Sequence, residues 1–102
     1  MKLLIVTGIS EFDDDIKKML KQVQIKNYSY QEVNGFNDAS EQALGSNWFG
    51  SEQSENNSML YYAFVKESSV IDNLFEVVEN FNNKQTSLSK IHLAVVNIEK
   101  SN

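Results

Sequence analysis

The sequence predicts an α+β fold, a four-stranded antiparallel sheet with two helices on one face. Three observations carry that prediction. Four runs rich in β-branched and aromatic residues read as strands, two segments between them repeat apolar residues at three- and four-residue spacing, and one long polar stretch at residues 37–58 parts the second strand from the third. A chain of 102 residues with 41% hydrophobic and 23% charged residues has room for one core, so residues 1–102 are read as a single domain.

Residues 2–9 are apolar and β-branched on successive positions, as in a central strand buried on both faces. Ser10 stands three residues before Asp13, a spacing that lets a hydroxyl and a carboxylate cap a helix start. In that first helix Phe12, Ile16, Met19, Leu20 and Val23 form one stripe, while Asp14, Asp15, Lys17, Lys18 and Lys21 face water. Its acidic residues come first and its basic residues later, in the sense the helix dipole favours. The period then changes to two: Tyr28 and Tyr30 point one way, Ser29, Gln31 and Val33 the other, in a strand that ends near Gly35 and Phe36. Residues 37–58 are Ser-, Asn- and Gly-rich and read as a long loop, a length that is usually functional or disordered in compact domains. Residues 59–65 form the third strand. Ser69 with Asp72 repeats the capping spacing before a second helix, striped by Ile71, Leu74, Phe75, Val78 and Phe81 and running to about Asn82. A polar connector at residues 83–89 leads to a last strand at 90–98. Strand, helix, strand, strand, helix, strand with right-handed crossovers is the ferredoxin-like βαββαβ topology.

Charge and composition exclude several functions. Fourteen acidic residues against nine basic ones give a net charge of -5, a field that repels phosphate backbones and anionic membranes, so no nucleic-acid partner is expected. There is no cysteine, hence no disulfide, thiolate metal site or cysteine nucleophile, and the expected compartment is the cytoplasm. The N-terminal apolar run is short and meets Glu11, Asp13, Asp14 and Asp15 at once, which suits neither a signal peptide nor a membrane span. No direct membrane insertion is expected.

Two helices cover only one face of such a sheet. Leu3 to Val6, Leu60 to Val65 and Leu93 to Val96 are apolar on successive residues, so the second face also asks for burial, and another copy of the chain is expected to supply it. Several hundred Å² of apolar face at roughly 25 cal/mol per Å² gives on the order of 10 kcal/mol per subunit before association costs. The competing expectation is a monomer or weak dimer whose open face is tempered by Tyr61, Tyr62 and His92.

The segment Glu32, Val33, Asn34, Gly35, Phe36, Asn37 resembles the E-V-x-G-F-G motif that opens the T-loop of nitrogen-regulatory PII proteins. Phe12 at the first helix start, and Lys90 with Ile91 opening the last strand as in the PII G-D-G-K-I segment, extend the resemblance over essentially the whole chain. It implies a homotrimer with sheets facing the threefold axis. It also implies a non-catalytic regulatory role, docking on a membrane transporter or metabolic enzyme under control of a small effector, with an adenine nucleotide as the family's ligand. Gly35, Phe36, Asn37 and Lys90 are then the residues placed to touch an effector. The chain departs from the family where glycines cradle phosphate: Asn37 replaces the second glycine, and Thr86, Ser87, Leu88 and Ser89 replace the glycine-rich connector. The R-G-A-E-Y modification site is also absent, so uridylylation is not implied.

In its place the loop carries Asn47, Trp48, Phe49 and Gly50, an aromatic pair of the kind that anchors interfaces, expected to dock a partner or else to fold back on the sheet. His92, the single histidine, stands in a strand, where a structural role is the commoner one. Asp38, Glu41, Glu52 and Glu55 offer hard oxygen ligands. Some PII-like proteins are associated with metal tolerance, so a divalent-metal module using His92, Glu52 and Glu55 is the alternative function. No nucleophile with an adjacent base, P-loop or dinucleotide fingerprint occurs, and no enzyme is expected.

Overall fold

A computed structural model describes residues 1–37 and 54–102. The elements are β1 (Lys2–Ile9), a 3-10 turn (Ser10–Phe12), α1 (Asp13–Gln22), β2 (Ser29–Asn37), β3 (Ser54–Val65), α2 (Ser68–Lys84) and β4 (His92–Asn97). All pairings are antiparallel and the sheet order is β2-β3-β1-β4, the order the βαββαβ reading requires. β1 is central because it is apolar on both faces.

Register fixes the faces. Leu4 lies opposite Ala63 and Val95, and Val6 opposite Tyr61 and Leu93, so these residues share the side covered by the helices. Leu4, Val6, Tyr61 and Ala63 are buried there against Ile16 and Leu20 of α1 and Leu74 and Val78 of α2. Gly8 permits the close approach of α1, since a Cβ at that position would meet Ile16 Cδ1 at 2.8 Å. The turn that leads into α1 is tied to α2 by Phe12 and Phe81, whose rings meet edge to face with centroids 5.1 Å apart.

The other face carries Leu3 opposite Phe64 and Val96, and Ile5 opposite Tyr62 and Ala94. Phe64 is 66% exposed, Val96 48% and Tyr62 38%. Tyr61, expected to temper this open face, lies on the covered side with 1% exposure, because the one-residue alternation of the pleat sends Tyr61 and Tyr62 to opposite faces.

Three local expectations are corrected. Neither helix uses its expected side-chain cap: Ser10 Oγ donates instead to the Asn57 carbonyl at 3.0 Å, Asp13 is taken by Tyr61 and Lys17, and α2 starts at Ser68 with Glu67 at its N-cap. β3 begins at Ser54 rather than at residue 59, because pairing with β2 extends it through a polar run. β4 is shorter than expected and spans only His92–Asn97. No helix among the described residues is long and apolar enough to cross a membrane.

Candidate functional site

The sequence-predicted effector residues sit at the two edges of the sheet. Gly35, Phe36 and Asn37 are the last residues of β2, opposite Asn56, Glu55 and Ser54 of β3, and Phe36 is 70% exposed. Lys90 precedes β4 on the far edge. Three strand spacings of about 4.8 Å separate these edges by roughly 14 Å, so one phosphate cannot be held by both segments of the same chain. A ligand touching both must extend across the end of the sheet or lie between two chains.

The connector between α2 and β4 is closed on itself by side chains. Asn82 makes a two-point pairing with Ile91: its Nδ2 donates to the Ile91 carbonyl and its Oδ1 accepts from the Ile91 N–H, both at 2.9 Å. Gln85 Nε2 donates to the Ser89 carbonyl at 2.6 Å, and Gln85 Oε1 accepts from the Ser87 N–H at 2.8 Å. The Ser89 N–H in turn donates to Ser87 Oγ at 2.9 Å. Lys90 Nζ donates to the Asn82 carbonyl at 3.0 Å, which turns its charge onto the C-terminal end of α2, where the helix dipole favours a cation. An anion cradle needs backbone N–H groups pointing outward. Three of those in this connector already have side-chain acceptors, and the segment does not fit a phosphate as it stands. It presents Leu88, 83% exposed, at its tip.

Of the metal reading, His92 and Glu55 stand apart along the sheet. His92 starts β4 opposite Thr7, which lies opposite Leu60, five residues along β3 from Glu55. At about 3.4 Å per residue that offset alone is roughly 17 Å, against ligand distances near 2 Å in a coordination sphere. No cluster of three or more His, Cys, Asp or Glu residues suited to a metal ion occurs among the described residues. Asn47, Trp48, Phe49, Gly50 and Glu52 lie outside the described residues.

Sequence reasoning missed a polar and aromatic cluster between α1 and the β2 edge. The Tyr61 hydroxyl donates to Asp13, and Asp13 also pairs with Lys17 at 3.0 Å, one helical turn on. Lys17 Nζ stands 4.2 Å above the centre of the Tyr30 ring, and the rings of Tyr28 and Tyr30 both pack on Tyr61 at about 6 Å. Burial by itself would raise the Asp13 carboxyl, but the hydrogen bond from Tyr61 and the hydrogen bond and charge of Lys17 outweigh it and hold its pKa below the ordinary value. Burial, then the hydrogen bond to Asp13 and its charge, push the Tyr61 phenol well above its usual range. The cluster fastens β3 to α1 through the Tyr61–Asp13 hydrogen bond. The period-two placing of Tyr28 and Tyr30 was the one available signal.

No family model matches the chain, and no curated protein matches its sequence. Its fold is nevertheless shared by solved structures. A DUF3240 family protein from Shewanella baltica OS155 superposes with a TM-score of 0.64 at 12% identity, covering 99% of this chain and 92% of that one. CPII, a nitrogen regulatory PII-like protein from Thiomonas intermedia K12 solved with ADP, AMP and bicarbonate, superposes with a TM-score of 0.59 at 13% identity, covering 97% of this chain and 94% of that one. The agreement reaches end to end in both, and it joins the element order and the sheet order: the chain has the PII-like, ferredoxin-like fold.

Proposed function

We propose that this chain is a non-catalytic PII-like regulatory protein that assembles with copies of itself through the open sheet face. A trimer is the assembly the resemblance implies. In this reading it docks on a transporter or metabolic enzyme through the segment between β2 and β3, with Asn47, Trp48, Phe49 and Gly50 as anchors, and a small effector sets the docking state.

The observation that carries this reading is the pair of apolar cross-strand rows, Phe64–Leu3–Val96 and Tyr62–Ile5–Ala94, left open by the two helices. A second chain is the natural cover for such a face. The effector reading is narrowed by the connector, where glycine is absent and three N–H groups and the Lys90 ammonium are already engaged. CPII carries ADP and AMP; here the closed connector argues for an effector held elsewhere.

The test combines mass and binding. Light scattering should give a multiple of the 11.6 kDa chain, and calorimetric titration with ATP, ADP and AMP should give no isotherm that Lys90→Ala changes. A single-chain mass would remove the assembly. Saturable nucleotide binding that weakens in Lys90→Ala would restore the family's ligand. Deleting residues 47–50 should abolish partner capture while leaving the mass unchanged, and capture that survives the deletion would reject that segment as the docking element.

A further inference from the structure

A cleft of about 490 Å³ lies between α1 and the start of β2, on the helix side of the sheet. Ile25, 6% exposed, and Tyr28 give it apolar surface, and Lys17, Lys18, Lys21 and Lys26 stand around it. Its one acidic neighbour is Asp14. The volume is within the range of small-ligand sites, roughly 300–1,000 Å³.

Charge makes this cleft unusual in this molecule. The chain is acidic overall, with a net charge of -5, yet four of its nine basic residues gather here. Lys17 is engaged by Asp13 and Tyr30. Among the described residues, no ion pair or hydrogen bond engages the ammonium group of Lys18, Lys21 or Lys26. Lys17 and Lys21 are one helical turn apart, a like-charge spacing that weakens a helix. The lysines at the end of α1 do complement its dipole, but Lys26 lies beyond the helix and gains nothing from it. Tyr28 is held in place, its ring edge-on to the buried Tyr61 with centroids 6.3 Å apart. A fixed aromatic face beside uncompensated cations matches a ligand with an apolar ring and several negative charges.

We infer that the α1–β2 cleft binds a small organic polyanion, its phosphate, sulfonate or carboxylate groups met by Lys18, Lys21 and Lys26 and its apolar skeleton lying on Tyr28 and Ile25. The site does not depend on the proposed assembly. The apolar rows of the open face are not part of the cleft: none of Leu3, Ile5, Tyr62 and Phe64 lines it.

Naphthalene trisulfonate is a suitable probe, since it joins a flat ring to several anionic groups. Binding is read by calorimetry and by amide NMR shifts on the intact protein, beside inorganic triphosphate, which has charge alone, and naphthalene monosulfonate, which has the ring with one charge. The trisulfonate should saturate at one per chain, shift the amides of residues 17–28, and bind more tightly than either control. The exposed pair Lys18→Gln with Lys21→Gln should weaken it about tenfold, two surface charge contacts being lost, with an unchanged circular dichroism spectrum. Asp14→Asn should tighten it. Absence of saturation, shifts centred on Ile5 and Tyr62, equal affinity for the controls, or affinity indifferent to the lysine pair would each overturn the inference. Since none of these readouts uses the oligomer mass, the site and the assembly stand or fall separately.

Discussion

Tyr61 is the largest fully buried side chain of the described residues, and its hydroxyl reaches one acceptor, Asp13. Tyr61→Phe keeps the ring on Tyr28 and Tyr30 and removes that single bond, leaving Asp13 with Lys17 alone. A loss of about 1–2 kcal/mol is expected in urea unfolding at neutral pH. The pH dependence follows from Asp13, whose folded pKa is depressed. A depressed carboxyl contributes stability that is present above the unfolded pKa, about 4, and is lost as pH falls through the folded value. The gap between wild type and Tyr61→Phe should therefore hold at neutral pH and narrow below about pH 4. A gap that stayed constant into strong acid would show that the bond owes nothing to the ionised carboxylate.

At the scale of elements, α1 ends in a Schellman turn without the usual glycine. Ile25 N–H reaches the Leu20 carbonyl at 2.9 Å, Gln24 N–H reaches the Lys21 carbonyl at 3.0 Å, and Gln24 holds φ at 67°. A side chain in the left-handed region costs about 1 kcal/mol that glycine avoids. Gln24→Gly should raise stability by up to about 0.5 kcal/mol after its greater unfolded-state entropy is counted, and thermal unfolding that moved downward would refute this account of the turn. The sequence made the apolar stripes and the order of elements legible, because period and burial there reinforce one another. It did not reveal the caps, since Ser10 and Asp13 found tertiary partners in Asn57 and Tyr61 that no local spacing announces. Nor did it reveal the first turns of β3, a polar run made into a strand by pairing with β2. At the candidate site, the missing glycines of the connector were visible, but the Gln85 and Asn82 side chains that close it were not, because each acts on backbone three or more positions ahead or across the turn.

The whole molecule has one face finished and one unfinished. The helices seal Leu4, Val6, Tyr61 and Ala63, and nothing among the described residues covers Phe64, Val96 and Tyr62 to the same degree. If the open face joins copies, the central row Phe64–Leu3–Val96 lies in the contact, and a charge there would have to be desolvated without a partner. Within a single chain the same change is nearly neutral, because Phe64 is already 66% exposed and surface substitutions usually stay within about 0.5 kcal/mol. Phe64→Asp should consequently split mass from fold: light scattering falls to one chain of 11.6 kDa, while the circular dichroism spectrum of a sheet with two helices persists. Phe64→Leu, which keeps the face apolar, should preserve the assembly. If Phe64→Asp left the mass of the wild type unchanged, the copies would be meeting through another surface, and the apolar rows would need a different occupant.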